Sequence, residues 1–349
     1  MGGLDTPLLV LVFLAGAAAT WIAGVYLSNA TDALDVRFGL GEALGGLILL
    51  AIAGTLPEIA ITVSAASAGH YGLAVGNLIG GVAVQTLVLV ILDVVSGPQR
   101  PPLSFLVGSL VPVIEALLVV SVLGTALGGV ALAPSTNIAG ASPTSIAAVA
   151  LWVSGVWVVN RVRKRSNWRV EAPRSMPGRA SVRERHPRHP HPYAKANNAG
   201  VLGIFLAASV VTLVAGVSLQ DSGNLLAGRF GIQGAVFGAT VLALATALPE
   251  ISSGIAAVRL GDMQLAVGDI LGGNAFQICL LLVADLIAGT PVIVAAHDSD
   301  VWLGATGILM TGVAAVAIIA RPERKVLWMG LDSILLVVIY AIALVLLPS

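Results

Sequence analysis

The chain has 349 residues, of which 57% are hydrophobic and 10% are charged, and its formal net charge is 0. Soluble domains carry about 25% charged residues, so this composition excludes an ordinary water-facing surface and indicates a membrane protein. A single cysteine excludes a disulfide framework and a cysteine-based metal site. The sequence has no nucleotide-binding loop, and it predicts no nucleic-acid partner and no cofactor.

Apolar stretches long enough to cross a bilayer, about 20 residues each, occur ten times along the chain. No basic region precedes the first, so we interpret it as a membrane span and not as a signal peptide. Two spans contain an internal Pro-Glu, which a continuous lipid-facing helix rarely tolerates, so we expect these two helices to be broken. The predicted spans are 8–28, 40–67, 73–95, 103–123, 144–161, 199–219, 232–258, 264–288, 301–320 and 326–347.

One strongly polar stretch, 161–197, separates the fifth and sixth predicted spans. It holds 11 of the 18 Lys and Arg residues, and its prolines argue against a folded domain. Positively charged loops stay in the cytoplasm, so we expect a basic cytoplasmic linker and, by alternation, both termini outside the inner (plasma) membrane. Seventeen of the 18 basic residues then lie inside, and only Arg229 lies outside.

An internal repeat appears when the chain is shifted against itself by 192 residues. Residues 34–85 then align with 226–277 without a gap, and 23 of the 52 aligned positions are identical. Each copy holds five spans, an odd number, so the second copy should enter the membrane from the opposite side. The sequence therefore predicts an all-α polytopic membrane protein, with ten transmembrane helices as two inverted five-helix repeats, 1–160 and 198–349, broken at the Leu-Pro-Glu motifs. Inverted repeats place a substrate site near the midplane, where broken helices meet.

A glutamate follows the proline in each broken span, at Glu58 and Glu250. An intramembrane carboxylate costs at least a few kcal/mol and is normally functional, and two of them suit a hard cation such as Ca²⁺. Two separately hydrogen-bonded structural glutamates are the alternative. Because proline removes one backbone donor, we also expect carbonyl oxygens to be freed beside each carboxylate, around Gly54, Thr55, Thr246 and Ala247.

The next span of each repeat carries a second motif. Its two copies read Gly-Asn77-x-x-Gly80-Gly81-x-x-x-Gln85 and Gly-Asp269-x-x-Gly272-Gly273-x-x-x-Gln277. Double glycines let backbones approach closely or open a helix, and close packing alone would also explain them. It would not explain the buried amides of Gln85 and Gln277, which can offer oxygens to the same centre.

These motifs resemble those of the cation/Ca²⁺ exchanger superfamily, which includes sodium/calcium and cation/proton exchangers. The resemblance covers two segments known as α-repeats, here 40–90 and 232–285, and the ten-span plan. It implies that the protein is an antiporter whose partners are the lipid bilayer and the transported cations. The central ion ligands that it implies are Glu58 and Glu250, with Thr55 and Thr246 near them.

Departures from the family pattern bear on the counter-ion. The motif serines are replaced by Gly81 and Gly273, and the serine before Leu-Pro-Glu is Thr55 in one repeat and Ala247 in the other. Those serines help to coordinate Na⁺ in the sodium-coupled branch, and the segment around Gln277 is more similar to cation/proton exchangers. We therefore favour H⁺ over Na⁺, because a buried carboxyl readily accepts a proton when Ca²⁺ leaves.

The predicted function is secondary-active exchange of Ca²⁺ against H⁺ or Na⁺ by alternating access. The alternatives are a passive cation channel and an antiporter for other cations, Na⁺/H⁺ or Mg²⁺/H⁺. An intramembrane protease is excluded, because the sequence contains neither His-Glu-x-x-His nor Tyr-Asp. We therefore predict that the protein is not an enzyme.

Other acids are weaker candidates. Asp93 and Asp285 are also 192 residues apart, and we expect interfacial solvation for both because they lie near span ends. Glu115, whose equivalent position is Gly307, is either a proton relay or a hydrogen-bonded packing residue. The groups expected at interfaces or in solvated outer loops are Asp332, His70 and His297.

Overall fold

The computed structural model describes residues 3–38, 50–132, 135–165, 193, 197–232 and 237–348. Most of the predicted linker 161–197 therefore lies outside the described residues. So do residues 40–49 of the second predicted span and 233–236 of the seventh, which are also part of the two α-repeats. The interpretation of the linker stays a prediction.

The described residues form thirteen α-helices and one two-stranded hairpin. The helices of the first half are α1 (Thr6–Phe38), α2 (Leu50–Gly54), α3 (Leu56–Ser67), α4 (Tyr71–Val95), α5 (Leu103–Leu106), α6 (Val111–Gly128) and α7 (Pro143–Arg165). Those of the second half are α8 (Asn198–Phe230), α9 (Ala243–Thr246), α10 (Leu248–Leu260), α11 (Met263–Ala288), α12 (Asp298–Ala320) and α13 (Leu331–Val345). The antiparallel hairpin pairs β1 (Lys325–Val326) with β2 (Met329–Gly330).

Several helices are long and apolar enough to cross a membrane. Within the described ranges there are seven, or eight if the bent pair Thr240–Thr246 and Leu248–Arg259 is one span. Two further apolar helices, α3 and α13, are shorter. The chain is thus an all-helical, multi-pass membrane protein, and the count of ten spans stays a prediction.

Two predicted spans begin later than the apolar pattern indicates. The stretch predicted at 103–123 is interrupted, because α5 ends before Gly108, which adopts φ +59°, and α6 starts only at Val111. The stretch predicted at 326–347 starts as the β1–β2 hairpin, and α13 begins at Leu331. The starts predicted at 103 and 326 therefore differ from the starts of the long helices, since hydropathy does not register short turns inside apolar sequence.

The two long helices α1 and α8 pack against each other. Their first and last residues differ by the same 192 positions as the sequence repeat. Arg37 near the end of α1 donates to Asn198 Oδ1 at 2.8 Å, and Arg229 near the end of α8 donates to Thr6 Oγ1 at 2.9 Å. The repeat thus extends to contacts outside the aligned segment, and each long helix is tied to the start of the other.

Glycines let these long helices approach the helix breaks. A Cβ atom built on Gly24 of α1 would lie 2.7 Å from Pro249 Cα, and one on Gly216 of α8 would lie 3.1 Å from Pro57 Cα. These pairs are again 192 residues apart. Each long helix therefore packs directly on the proline that opens α3 or α10 in the other half.

The most buried spans are α4 and α11, which carry the double-glycine motifs. Each has 72% of its most apolar window buried, against 33% and 28% for α1 and α8. Helix α4 packs on α12, and α11 packs on α6. The centre of the protein is therefore built by the motif helices, and the long helices face lipid.

Asp93 and Asp285 are buried, with 1% and 0% of their surface exposed, so the expectation of interfacial solvation is wrong. Each carboxylate accepts a hydrogen bond from the backbone of the loop that follows its helix. Asp93 accepts from the backbone N–H of Leu103 at 2.8 Å, and Asp285 accepts from that of Val292 at 2.6 Å. The loops fold back over the helix ends and exclude water from both carboxylates.

Of these two acids, Asp93 alone has a basic partner among the described residues. Lys325 Nζ lies 3.0 Å from Asp93 Oδ1, and both side chains are buried. Removing one member of a buried ion pair costs about 3–5 kcal/mol, because the other charge stays uncompensated. We expect Asp93→Asn to lower the melting temperature of the purified protein in detergent, while the folded fraction still transports ions.

The matched control is the double variant Asp93→Asn with Lys325→Met, which removes both charges. It should recover part of the lost melting temperature. An Asp93→Asn variant as stable as the parent would contradict the structural role that we assign to this pair.

Candidate ion-binding site

Both Leu-Pro-Glu motifs lie directly after a helix break. Thr55 separates α2 from α3 with φ −86° and ψ 13°, and Ala247 separates α9 from α10 with φ −78° and ψ 4°. Proline is tolerated in the first turn of a helix, where its missing N–H leaves no bond unmade. The motif thus starts a new helix and puts Glu58 or Glu250 in its first turn.

Two of the four backbone carbonyls expected to be free at the breaks are hydrogen-bonded. Thr55 O accepts from Ile59 N–H at 2.9 Å, and Ala247 O accepts from Ile251 N–H at 3.0 Å. The expectation of freed carbonyls is therefore wrong for these two residues. Proline removes only its own donor, and regular i to i+4 bonding resumes immediately after it.

The two glutamates are almost completely buried, with 2% of Glu58 and 3% of Glu250 exposed. Glu58 Oε1 accepts from Gln85 Nε2 at 3.2 Å. Its Oε2 and both carboxylate oxygens of Glu250 have no hydrogen-bond partner among the described residues. Burying a carboxylate without a partner is costly, so these three oxygens are suited to hold a cation or protons.

Each glutamate reaches toward the helix break of the other half. A Cβ atom built on Gly54 would lie 3.5 Å from Glu250 Oε1, and Gly54 lies about one helical turn before Glu58. At the equivalent position of the second half, Thr246 lines the same cavity as Glu58. The two Leu-Pro-Glu motifs therefore meet at one centre.

The two motif glutamines differ in their contacts. Gln85 turns its amide nitrogen toward Glu58, whereas we expected its oxygen to face the centre. Gln277 donates to the carbonyl oxygens of Leu78 at 2.6 Å and Asn77 at 3.2 Å. Its Oε1 is buried with no hydrogen-bond partner in the described part of the chain. Gln277 thus links α11 to α4 and keeps one oxygen available.

Gln277 also contacts one of the two glycines that replace the motif serines. A Cβ atom on Gly81 would lie 2.7 Å from Gln277 Nε2, so a serine there would displace this amide. At Gly273 the nearest atom to such a Cβ is Thr55 Cγ2, at 3.8 Å, which leaves room. A side chain at position 81 would therefore shift the end of the Gln277 side chain, whereas one at position 273 would not.

The remaining predicted ligands lie around this centre. Asn77 lines the cavity with Glu58. Asp269 is 7% exposed and accepts a short hydrogen bond from Ser253 of α10, which also donates to Glu250 O at 3.1 Å. The Thr55 hydroxyl donates to Ala51 O at 2.9 Å, so only its lone pairs remain for a ligand.

Sequence reasoning did not single out Asn274, which belongs to the same region. This side chain is 0% exposed, donates to Thr86 Oγ1 at 3.3 Å, and has an Oδ1 with no partner among the described residues. The available signal was an amide directly after the double glycine, in an otherwise apolar span.

A cavity of about 820 Å³ leads from this centre toward the loops that precede α4 and α12. Glu58, Asn77 and Thr246 line it at the centre, and His297 and Asp300 line it near those loops. His70 and His297 are exposed, as expected from their short loops.

Carboxylates alone do not complete a coordination shell here. No group of three or more His, Cys, Asp or Glu side chains that could hold a metal ion occurs in the described ranges. Hard cations take six or more oxygen ligands, including hydroxyl, amide and carbonyl oxygens and water. A cation held by Glu58 and Glu250 would therefore draw its other ligands from such groups.

Comparison with known proteins gives consistent matches over most of the chain. Residues 8–162 and 200–347 match the sequence model of the family described as sodium/calcium exchanger protein. The inner membrane protein YrbG of Escherichia coli (strain K12) is 26% identical over 274 residues, which are 78% of this chain and 75% of that protein. The putative antiporter CaxA of Alkalimonas amylolytica is 28% identical over 296 residues, 83% of this chain and 84% of its own.

Solved structures share the fold. The sodium-calcium exchanger NCX_Mj superimposes with a TM-score of 0.62 at 18% identity, over 99% of this chain and 100% of its own. The H⁺/Ca²⁺ exchanger CAX superimposes with a TM-score of 0.67 at 13% identity, over 97% of this chain and 86% of its own.

Proposed function

Because the chain belongs to the sodium/calcium exchanger family, we propose that it is a secondary-active antiporter that exchanges Ca²⁺ for H⁺ or Na⁺. The observation that carries this proposal is the pair of buried glutamates, three of whose oxygens have no hydrogen-bond partner in the described ranges and lie where the two helix breaks meet. Two proteins of the same fold are named as Ca²⁺ exchangers, one coupled to Na⁺ and one to H⁺. The activities of these two exchangers support Ca²⁺ as the transported cation.

The exchange proceeds by alternating access between two inverted five-helix repeats, 1–160 and 198–349. The constant offset of 192 residues between α1 and α8 supports this arrangement, as do the crossed contacts Gly24–Pro249 and Gly216–Pro57. If the halves exchange conformations, the central site is exposed to one side of the membrane at a time.

Glu58 and Glu250 are the charged ligands of the transported cation. Neutral side chains around them and the carboxylate of Asp269 complete its coordination. The neutral side chains are those of Thr55, Thr246, Asn77, Gln85 and Gln277. The buried oxygen of Gln277 supports its place in this set.

H⁺ is the favoured counter-ion. A Na⁺ site needs several oxygen ligands, and the motif serines that would supply hydroxyls are replaced by glycines at 81 and 273. Protons need no coordination cage, only carboxylates that bind them when Ca²⁺ leaves. Since burial favours the neutral form of a carboxyl group, Glu58 and Glu250 meet this requirement.

Liposomes with imposed gradients test the proposal. With no Na⁺ present, liposomes that contain the purified protein should take up ⁴⁵Ca²⁺ when an outward H⁺ gradient is imposed. Exchange should slow at low pH, because protons compete with Ca²⁺ for both carboxylates. Uptake that requires Na⁺ and ignores the pH gradient would identify Na⁺ as the counter-ion. Ca²⁺ flux without any counter-ion would instead favour a channel. H⁺-coupled flux of Na⁺ or Mg²⁺, with no flux of Ca²⁺, would show that the transported cation is Na⁺ or Mg²⁺.

The topology is tested separately by labelling. Basic residues are concentrated in 161–197, so we propose that this linker is cytoplasmic and that both termini are outside. In intact cells, a membrane-impermeant thiol reagent should leave Ser181→Cys unlabelled, on a background with Cys279→Ser, until the membrane is opened. A cysteine placed after Ser349 is the accessible control. Labelling of position 181 from outside would overturn this orientation.

A further inference from the structure

A second pair of carboxylates lies beside the first glycine of each double-glycine motif. A Cβ atom on Gly76 of α4 would lie 3.0 Å from Asp300 Oδ1, and one on Gly268 of α11 would lie 3.1 Å from Glu115 Oε2. Gly76 and Gly268 are equivalent positions of the repeat. Each faces an acid from the other half, Asp300 at the start of α12 or Glu115 in the second turn of α6.

The side chain of Asp300 is placed in the cavity that leads to Glu58. It is only 8% exposed, and its Oδ2 accepts from the backbone N–H of His297 at 2.8 Å, which caps α12. This capping role uses one oxygen, while Oδ1 faces Gly76. At the other end of the cavity, Glu58 Oε2 is buried and lacks a hydrogen-bond partner among the described residues. One continuous space thus connects a carboxylate near the surface with a carboxylate at the centre.

Glu115 is the closed counterpart of Asp300. It is 2% exposed and lines a pocket of about 10 Å³ with Trp152, Leu271 and Gly272. Such a space holds about one water molecule, so a hydrated cation cannot pass through it in this conformation. The path to the centre beside α6 is therefore closed, while the cavity beside α12 leaves the path on that side open.

We propose that Asp300 and Glu115 are access carboxylates, which receive the cation on opposite sides of the membrane. Asp300 receives it from the side of the loop 289–297, and Glu115 does so when the halves exchange conformations and its pocket opens. A negative charge at the mouth of a low-dielectric cavity concentrates cations and speeds their arrival. This inference rests on the proposed antiport function.

Transport measured from each face tests this inference. With ⁴⁵Ca²⁺ in right-side-out and inverted vesicles, Asp300→Asn should raise the KM for Ca²⁺ roughly three- to tenfold on the face of the loop 289–297. Glu115→Gln should do the same on the opposite face only. Each increase should shrink at high ionic strength, because salt screens the lost charge. Asparagine keeps the acceptor that caps α12, and Glu115→Asp, which keeps the charge, should raise the KM less than Glu115→Gln does.

The outcomes separate the two proposals. Equal changes of KM on both faces, or unchanged KM in both variants while the parent exchanges Ca²⁺, would overturn the access role alone. A parent protein without Ca²⁺ exchange would overturn the proposed Ca²⁺ antiport and this inference with it. A KM increase confined to one face, and to opposite faces for the two variants, is the result we expect.

Discussion

Glu58→Gln and Glu250→Gln are each expected to abolish exchange in a protein that remains folded and inserted. Each substitution removes a charged ligand from a site with two carboxylates, and a loss of about 3 kcal/mol in cation binding corresponds to roughly a 100-fold weaker affinity. Folding should not suffer. Three of the four carboxylate oxygens have no hydrogen-bond partner among the described residues, so a neutral amide removes an uncompensated buried charge. Gln85 can still donate to the amide oxygen at position 58.

The measurement is ⁴⁵Ca²⁺ exchange in liposomes, with thermal unfolding of the same preparations as the check on folding. Asp221→Asn, an exposed acid on α8, is the matched control and should exchange normally. Near-normal flux in either glutamine variant would show that its glutamate is structural, which is the alternative that the sequence left open.

The second large effect is expected from Gly24→Ala. The added Cβ would lie 2.7 Å from Pro249 Cα, a backbone atom that cannot rotate away. Helix α1 must therefore move away from the helix break that precedes Glu250. Overpacking of this kind destabilises a protein by about 1–3 kcal/mol. We expect a lower melting temperature and a severe loss of exchange. Gly216→Ala, which would lie 3.1 Å from Pro57 Cα, should act in the same direction with a smaller effect.

Gly203→Ala is the control for this prediction, because no atom of the described residues lies within 4 Å of a Cβ at that position of α8. Alanine is favoured over glycine in a helix by about 1 kcal/mol, so Gly203→Ala should be neutral or stabilising. A Gly24→Ala protein as stable and active as Gly203→Ala would contradict the tight packing of α1 on the second helix break.

Much of the fold could be predicted because its signals are periodic or repeated. Apolar length identified a multi-pass membrane protein, and the motifs around Glu58 and Glu250 indicated the superfamily, which the family match confirms. The ends of individual helices were harder to predict from the sequence. The turn at Gly108 and the hairpin before Leu331 lie inside apolar sequence, where hydropathy gives no warning.

The residues of the candidate site could be proposed from the sequence, but their contacts could not. The repeat puts two glutamates and two amides in equivalent positions, yet only the structure shows that Gln85 donates to Glu58 while Gln277 donates to the backbone of α4. The sequence did not identify Asp300 and Glu115 as equivalent residues. Loops of different length separate their helices from the motifs, so their positions are not related by the offset of 192 residues. Asp93 looked solvated because the loop that covers it follows later in the chain.

The central claim is that Glu58 and Glu250 together hold one transported cation. Equilibrium binding of ⁴⁵Ca²⁺ to the purified protein in detergent tests it without requiring a gradient. The account predicts saturable binding that protons displace at low pH, and loss of this binding in Glu58→Gln and in Glu250→Gln alike. Parent-like Ca²⁺ affinity in either single variant would mean that the two carboxylates do not share an ion, and would contradict the account.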